Sequence, residues 1–420
     1  MNSPIDATEP DTPAEAAQAH IERAAQALRE GRHDAAIKAL QTAAALGNAD
    51  AMYRLGHARL FGLWACEAQT AEARQILQRA ADLGSAAADL QLACLALSDL
   101  LPEAGSAIAA RHLQQACARQ HPLAQRITAM LLASQGRHRE ASTLLSAAHA
   151  AGDPVAGALL ARRLHLGIGI EADPQAADAI RQPLRAMGVP VYLDERAEAD
   201  ESGEQPTVDG IDFPHIPANA GPDEAQVIVQ RLFRREDCLY LILCGTPHLR
   251  ASQVVDPATG TLTRMGLRSS DGMNFDTMLE DAWLRHLQMR MAAAAGLPLS
   301  HAEPLVLLHY APGQEYRPHR DYLPDSDPSL TQATPGSAIG AGNRAATTVV
   351  YLNEVSEGGE TDFPELGQRV RPQAGYAASW RNLHRSGIRD PRSLHTGMPV
   401  IAGEKWLSTL WIRERPLRAW

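Results

Sequence analysis

A segment rich in alanine and leucine, and ending where a helix would stop, recurs through the first half of the chain. Examples are LQTAAALG, LQRAADLG and LSAAHAAG. The copies end at Gly47, Gly84, Gln120, Gly152 and Gly188, which are 37, 36, 32 and 36 residues apart. Periods of this length are typical of stacked helix pairs, in which no pair can bury its apolar face alone. The pattern predicts an all-α helical-repeat solenoid over residues 14–190.

Two stretches of this half, AMYRLGHARLFG and ALLARRLHLGIGIEADPQAADAI, resemble the Sel1-like variety of tetratricopeptide repeat. In that repeat a glycine-containing turn follows a helix that carries the pattern A-x-x-L-x-x. The resemblance implies a concave surface that binds a peptide or protein partner. An ordinary helical bundle is the alternative, because the third copy lacks its closing glycine and the fourth is short.

An acidic stretch separates the two halves of the chain. LDERAEADESGEQPTVDG carries six acidic side chains between Asp194 and Glu204. Such a composition predicts a solvated linker, which we place at residues 191–210. Because 420 residues exceed one ordinary core, a second domain is expected over residues 211–420.

Charge and cysteine content exclude several function classes. A net charge of −10 argues against nucleic-acid binding. No apolar run is long enough to span a membrane, and the first residues lack the basic and apolar regions of a signal peptide. The five cysteines form no C-x-x-C pair and their number is odd, so a disulfide framework is not expected. A cytoplasmic protein without a membrane partner is the expectation.

The second half changes its hydrophobic period. Helices are expected over Pro222–Arg234 and Asp276–Ala295. The remainder consists of short β-rich runs broken by Gly, Pro and Asn, such as LVLLHYAP, ATTVVYLNE, AGYAASW and KWLSTLWIRE. Many short strands with few helices predict a sandwich or a double-sheet jelly roll, that is a double-stranded β-helix, with flanking helices.

A possible metal site lies within this β-rich half. His319 and Asp321 are two residues apart, so on an extended strand both side chains project from the same face. A second histidine, His395, precedes a later β-run. Two histidines and one carboxylate leave open coordination positions, which suits a non-haem Fe(II) oxygenase. The same set of ligands can also hold a catalytic zinc ion.

Lys405 favours iron over zinc. It follows His395 by ten residues, across an Ala-Gly-Glu turn, and a hairpin there would place both side chains inside one barrel. A buried lysine beside a metal needs an anionic partner. The distal carboxylate of 2-oxoglutarate is such a partner, whereas a zinc hydrolase has no evident use for the lysine. His384 is the rival to His395, but the residue ten positions beyond it is Leu394.

The stretch from Phe213 to Arg413 resembles the prolyl 4-hydroxylase family of 2-oxoglutarate oxygenases. Its motif blocks follow the order of that family. They are LRSSDG (267–272), HYAPGQEYRPHRD (309–321), RAATTVVYLNEVSEGGETDFPE (344–365), GYAASW (375–380) and SLHTGMPVIAGEKW (393–406). The resemblance covers about half of the chain.

The resemblance implies a role for nine residues. His319, Asp321 and His395 would bind iron, and Lys405 would pair with the C5 carboxylate of 2-oxoglutarate. The others are assigned to the cosubstrate pocket (Tyr310, Thr347) and to the neighbourhood of the substrate (Tyr316, Arg268, Trp406). Arg268 matches a mobile loop that closes over the peptide, and Trp406 is equally compatible with a place in the core.

The implied reaction is hydroxylation of a C–H bond, on a prolyl residue of a peptide or protein that the repeats bind. It uses Fe(II), 2-oxoglutarate and O₂, with ascorbate as an optional further reductant. Two alternatives stay open, a hydroxylase of a free amino acid or small metabolite and a non-catalytic repeat scaffold. The polar loop 322–343 is expected to shape substrate choice, and Trp380 is expected to narrow the pocket.

Overall fold

The chain folds into two compact units. A computed structural model describes residues 12–64, 66–97, 104–189, 210–217, 219–224, 226–252, 254–255, 262–263, 269–325, 327, 330 and 340–418. The first unit comprises the chain up to Ala96 together with Ile108–Ala124, and the second comprises Leu97–Ala107 and Gln125–Trp420. Apart from Gly210, the linker expected at residues 191–210 lies outside the described residues.

Helices make up the described chain up to residue 189. They are α1 (Pro13–Arg29), α2 (His33–Ala45), α3 (Ala49–Phe61), α4 (Thr70–Asp82), α5 (Ala86–Ala96), α6 (Ala104–Ala118), α7 (Pro122–Ser134), α8 (His138–Ala150), α9 (Pro154–Leu166) and α10 (Pro174–Ala186). Successive helices pack in pairs, and the buried positions are largely alanine and leucine. Small side chains let neighbouring helices approach closely. The predicted helical-repeat solenoid is confirmed.

The ends of the repeats share one backbone conformation. The four closing glycines are left-handed, with φ between 76° and 96°. Gln120, which replaces the glycine in the third copy, is also left-handed, with φ of 57°. Glycine adopts this conformation without strain, whereas other residues do so at a cost. The third repeat therefore keeps the turn of the others despite its different residue.

The second unit contains the β-rich half of the chain. Its strands are β1 (Val227–Arg231), β2 (Arg250–Ala251), β3 (Val254–Val255), β4 (Leu262–Thr263), β5 (Asp271–Phe275), β6 (Leu305–Tyr310), β7 (Tyr316–His319), β8 (Arg344–Tyr351), β9 (Glu357–Gly358), β10 (Thr361–Phe363), β11 (Gln368–Val370), β12 (Tyr376–Arg381), β13 (His395–Gly397), β14 (Val400–Ala402) and β15 (Lys405–Arg413). Two further helices are α11 (Arg235–Gly245) and α12 (Ala282–Ala294).

Two antiparallel sheets form the jelly roll. The larger has the strand order β1-β12-β8-β15-β6-β5-β2, and the smaller has the order β11-β10-β13-β7. Inward-facing residues of both sheets form one apolar core, among them Val306, Leu308, Val349, Phe363 and Leu407. Because alternate residues of a strand face opposite sides, β15 presents every second side chain from Lys405 to Trp411 to a cavity in this core. The predicted jelly roll is confirmed.

The expected helix over Pro222–Arg234 is wrong. Val227–Arg231 forms strand β1, which pairs with β12 so that Val227 lies opposite Trp380. The sequence VIVQR is rich in β-branched residues, and pairing at the sheet edge decides its conformation. Helix α11 begins only at Arg235. The second expected helix, Asp276–Ala295, is present but shorter, because it begins only at Ala282. Asp281 is its N-cap, and the side chain of Asp281 accepts a hydrogen bond from the backbone N–H of Leu284.

Helix α9 is joined to the jelly roll by a buried ion pair. Both nitrogens Nε and Nη2 of Arg163 donate to the carboxylate of Glu236 in α11, at 2.6 and 2.7 Å. Neither side chain is more than 1% exposed. The second compact unit thus contains the last repeat helices as well as the β-sheets. Within the described residues no helix is long and apolar enough to cross a membrane.

Candidate active site

Two neighbouring strands of the smaller sheet carry the predicted metal ligands. β7 and β13 pair antiparallel, and His319 lies directly opposite His395. Asp321 follows in a bend just beyond the end of β7. Its oxygens Oδ1 and Oδ2 lie 3.7 Å from Nε2 of His319 and Nε2 of His395. One ligand atom from each residue lies within 4.8 Å of the others, so the three can bind a single ion.

A hydrogen bond from Nδ1 orients each of the two imidazoles. Nδ1 of His319 lies 2.8 Å from the carbonyl of Arg317, and Nδ1 of His395 lies 2.9 Å from the carbonyl of Ser393. A carbonyl oxygen can only accept, so each Nδ1 carries the proton and donates it. The Nε2 atom of each ring then faces Asp321. Metal-binding histidines are usually oriented by such a bond from the other ring nitrogen.

The carboxylate of Asp321 is buried yet ionised. Burial by itself would raise its pKa, but the nearby His395, His319 and Arg344 and a hydrogen bond lower the pKa below its usual value. That hydrogen bond comes from the hydroxyl of Thr347, which donates to Oδ2 at 2.8 Å. Two histidines and a carboxylate are the donors that non-haem Fe(II) sites use. The three residues therefore fit an iron(II) ion.

A cavity that is open to solvent adjoins the three ligands. Lys405, at the start of β15, contributes its side chain to the cavity wall and is only 2% exposed. Its Nζ lies 5.5 Å from the centre of the Tyr310 ring and 5.6 Å from that of the Tyr351 ring. Burial lowers the pKa of Lys405 to about 7, although Glu360 opposes this shift.

The structure gives Lys405 no oxygen partner of its own. Among the residues that it describes, none accepts a hydrogen bond from Nζ, and the rings of Tyr310 and Tyr351 lie near the amine. An ammonium ion buried in this way is costly until an anion pairs with it. The cavity thus offers a cation-lined wall and a three-residue donor set, and a dicarboxylic acid such as 2-oxoglutarate fits both.

The cavity also contains the two predicted tyrosines. Tyr310 lies directly across from Lys405 on β6 and lines the cavity. The ring of Tyr316 stacks on the imidazole of His319, with 3.5 Å between the ring centres. Trp380 contacts His395 edge-on at 4.8 Å and forms part of the wall. These positions place aromatic surface around the ligand set.

Two predicted residues lie outside the cavity lining, and a third is not described by the structure. Thr347 does not line the cavity, because its hydroxyl is used to hold Asp321. Trp406 follows Lys405 on β15 and therefore points to the opposite face of the sheet, where its ring packs against His309 at 4.3 Å. Trp406 is therefore not among the residues that line the cavity. Arg268 lies outside the described residues.

His384, the alternative to His395 as a metal ligand, bonds to other residues. Nδ1 of His384 lies 2.9 Å from the carboxylate of Glu224, and its Nε2 lies 4.0 Å from that of Asp390. His309 lies on the outer face of β6 and contacts Glu404 at 3.2 Å. Neither histidine belongs to the set of ligand atoms around Asp321.

Two residues of the site were not anticipated. Trp411 lines the cavity six residues after Lys405, and the even spacing on one strand is the signal that could have indicated it. The guanidinium of Arg344 lies 3.8 Å above the ring of Trp411. Asn382 is completely buried and donates to Thr347 at 2.8 Å. No spacing or motif in the sequence indicates this contact.

A jelly roll with two histidines, one aspartate and a buried lysine around one cavity defines the class of 2-oxoglutarate-dependent, iron(II)-dependent dioxygenases. Residues 305–413 match the family model described as the 2OG-Fe(II) oxygenase superfamily. Probable prolyl 4-hydroxylase 10 of Arabidopsis thaliana is 35% identical over 205 residues, a match that covers 44% of this chain and 68% of the plant protein. The chain belongs to the prolyl 4-hydroxylase family of these oxygenases.

Other similarities cover smaller parts of the relatives. The prolyl 4-hydroxylase subunit alpha-1 of Rattus norvegicus is 38% identical over 169 residues, which is 40% of this chain but only 30% of the rat subunit. The solved structure of a Sel1 repeat protein from Oxalobacter formigenes is 24% identical and covers 37% of this chain and 45% of its own, with a TM-score of 0.34.

Proposed function

We propose that this protein hydroxylates a C–H bond of a prolyl residue in a peptide or protein, with 2-oxoglutarate and O₂ as cosubstrates. The observation that carries the proposal is the buried Lys405 in the same cavity as His319, Asp321 and His395. The relatives support the choice of substrate, since the plant and rat proteins are named prolyl 4-hydroxylases.

In this proposal His319, Asp321 and His395 hold iron(II) and leave positions open for the cosubstrates. The bound iron would supply the activation of O₂ that couples decarboxylation of 2-oxoglutarate to hydroxylation. Asp321 contributes the negative charge of the ligand set. The two Nδ1–carbonyl hydrogen bonds keep both imidazoles turned toward the ion, so that the site is preorganised.

Lys405 has a different task, which is to recognise 2-oxoglutarate. Its ammonium would pair with the distal carboxylate and remain charged once that anion is present. Tyr310, which lies opposite Lys405 on the neighbouring strand β6, would lie beside this carboxylate. The apolar wall formed by Leu407, Val349 and Trp380 keeps water away, and a charge pair is stronger where water is excluded.

Part of the cavity wall is aromatic. Tyr316 stacks on His319. Trp411 lines the cavity from the same strand as Lys405, β15. Flat ring faces suit a pyrrolidine ring, which is compact and largely apolar. We assign Tyr316 to substrate contact on this basis. Arg268 stays a prediction from the sequence.

We further propose that the repeats, residues 14–190, bind the polypeptide substrate or a protein partner, and that residues 211–420 form the oxygenase. Concave helical arrays commonly bind extended peptides. A cytoplasmic location is proposed from the sequence alone, because the five cysteines show no disulfide pattern.

Anaerobic titration with Fe(II) and then 2-oxoglutarate tests the site. A visible charge-transfer band should form with the wild-type protein and be lost in His319→Ala. A screen of proline-containing peptides, with and without ascorbate, then measures succinate release and hydroxyproline by mass spectrometry. If folded, metal-loaded protein gave no band, the assignment of the cofactors would be wrong. Succinate release with a free amino acid but with no peptide would overturn the peptide substrate alone.

A further inference from the structure

A row of buried side chains leads from the cavity wall to the metal-binding carboxylate. The indole Nε1 of Trp380 lies 3.0 Å from Oδ1 of Asn382. Nδ2 of Asn382 lies 2.8 Å from the hydroxyl of Thr347, which lies 2.8 Å from Oδ2 of Asp321. None of the four side chains is more than 5% exposed. Solvent therefore competes little for these hydrogen bonds.

The chemistry of each group fixes the direction of every bond in this row. An indole N–H can only donate, so the amide oxygen of Asn382 must face Trp380. Its NH₂ group then faces Thr347 and donates to the hydroxyl oxygen. The hydroxyl proton is left for Asp321, whose ionised carboxylate can only accept. Asn382 thus determines where the hydroxyl of Thr347 points.

The backbone of Asn382 is held as firmly as its side chain. Its N–H donates to the carbonyl of Ala345 at 2.9 Å, and its carbonyl accepts from the N–H of Asp390 at 3.0 Å. The carbonyl of Asp390 accepts from the hydroxyl of Ser393, and the carbonyl of Ser393 orients His395. One residue is therefore bonded to the segments that orient two of the three ligands.

We propose that Asn382 is a positioning residue for the carboxylate of Asp321, acting through the hydroxyl of Thr347. The proposal rests on the metal assignment in the proposed function. With Asn382 present, one lone pair of Oδ2 accepts from Thr347, and the carboxylate is held in the orientation in which it would bind the ion. Without Asn382 the hydroxyl is free to rotate, and the carboxylate loses its fixed orientation.

Mn(II) binding to the protein without 2-oxoglutarate is the measurement that tests this role. The free ion is quantified by its electron paramagnetic resonance signal. We expect Asn382→Leu and Thr347→Val each to weaken Mn(II) binding about tenfold or more, as is usual for partners of metal ligands. Because Asn382 acts through Thr347, the double variant should bind Mn(II) no more weakly than Thr347→Val alone. Thr347→Ser, which keeps the hydroxyl, should bind like the wild type.

Thr348→Val is the matched control. Thr348 is buried on the same strand, and its hydroxyl bonds to the carbonyl of Met291 and to Ser379, away from the site. This variant should lose stability in thermal unfolding but bind Mn(II) like the wild type. Asn382→Asp is a second, isosteric variant in case Asn382→Leu does not fold. It cannot donate to Thr347 when ionised, and it should weaken Mn(II) binding as well.

Two results would overturn the positioning role while leaving the metal site intact. One is wild-type Mn(II) affinity in the folded Asn382 variants. The other is a double variant in which the two losses add, because Asn382 would then act by another route. A wild-type protein that binds no Mn(II) would instead overturn the metal assignment, and this proposal with it.

Discussion

Lys405 is one of only two lysines in the chain, the other being Lys38 in helix α2. The two side chains differ in exposure. Lys38 is exposed to solvent, whereas Lys405 is buried, with a tyrosine ring on either side of its amine. Tyr310 on β6 and Tyr351 on β8 face its amine, and Glu360 is the acidic group that acts on it. Burial makes the charged form of Lys405 expensive until an anion enters the cavity.

The affinity for 2-oxoglutarate should depend on pH through Lys405. Below pH 7 the amine is charged both in the free and in the bound protein, so the dissociation constant is constant. Above its pKa of about 7, binding must take up a proton. The dissociation constant should then rise by up to about tenfold per pH unit. Calorimetry in buffers of different ionisation enthalpy should detect about one proton taken up at pH 8.

Trace acetylation with acetic anhydride measures the same pKa directly, with Lys38 as the internal reference. Lys405 should become reactive near pH 7 and be protected by 2-oxoglutarate. A Lys405 that titrates near pH 10.5, together with a dissociation constant that does not change between pH 7 and 9, would contradict the prediction.

Replacing Lys405 with Ala should raise the KM for 2-oxoglutarate at least about thirtyfold. Removing one member of a buried charge pair costs about 2–5 kcal/mol, because the other is left unpaired. The measurement is succinate release as a function of 2-oxoglutarate concentration. Lys38→Ala is the matched control and should leave KM unchanged. An unchanged KM in Lys405→Ala would mean that another cation binds the distal carboxylate.

At the scale of the elements, Gln120 is a position where glycine should stabilise the protein, because its backbone is left-handed. A left-handed conformation costs a residue with a Cβ atom about 1–2 kcal/mol, whereas glycine loses about 0.5–1 kcal/mol in chain entropy. Gln120→Gly should therefore raise the free energy of unfolding by about 0.5–1 kcal/mol. Urea unfolding followed by circular dichroism measures this. Gln120→Ala keeps the strain and should give no gain, so equal stabilisation by both variants would contradict the argument.

The repeats were predictable because they rest on local rules. Small residues, helical periodicity and left-handed turns act over a few residues, and even the irregular third copy keeps its turn. The metal ligands were also accessible, since H-x-D, a distant histidine and a lysine ten residues later are spacing signals. Strand β1 was not predictable in this way, because pairing of Val227 with Trp380 decides its conformation and the two are far apart in sequence.

The finer parts of the site depend on tertiary geometry. The sequence placed Thr347 beside the cosubstrate, but its hydroxyl is directed at Asp321. Trp406 was placed near the substrate, although the alternation along β15 turns it away whenever Lys405 faces inward. Asn382 could not be found at all, because its importance lies in two hydrogen bonds to residues on two strands. Such contacts exist only once the register of β8 and β12 is set.

At the scale of the whole molecule, the second compact unit joins repeat helices to the jelly roll through buried charges. Arg126 of α7 bonds to both carboxylate oxygens of Asp153, the cap of α9, at 2.7 and 2.8 Å. Its other terminal nitrogen lies 3.9 Å from Asp281, which caps α12. A repeat helix and a helix of the jelly roll thus share one guanidinium. The oxygenase half is therefore continuous in its packing with the last repeats.

The Arg163–Glu236 pair shows what this continuity implies for stability. Burial alone would raise the pKa of Glu236, but the charge and hydrogen bonds of Arg163 lower that pKa to about 2. Arg163→Ala should lower the free energy of unfolding by about 3–5 kcal/mol, because it leaves Glu236 buried without its main partner. Arg385→Ala is the control, since its pair with Asp223 is exposed and should be worth at most about 1 kcal/mol. Urea unfolding of the full-length variants measures both losses.

The double variant Arg163→Met, Glu236→Met separates the cost of an unpaired charge from the loss of packing. Two apolar side chains of similar length leave no charge behind, so the double variant should be far more stable than Arg163→Ala.

The same reasoning applies to a chain cut at the acidic linker, which keeps Glu236 but removes Arg163. That truncated chain should unfold at lower urea than the full-length protein, and Glu236→Met should recover part of the loss. If the truncated chain were as stable as full-length protein, the last repeats would not be needed for the stability of the oxygenase.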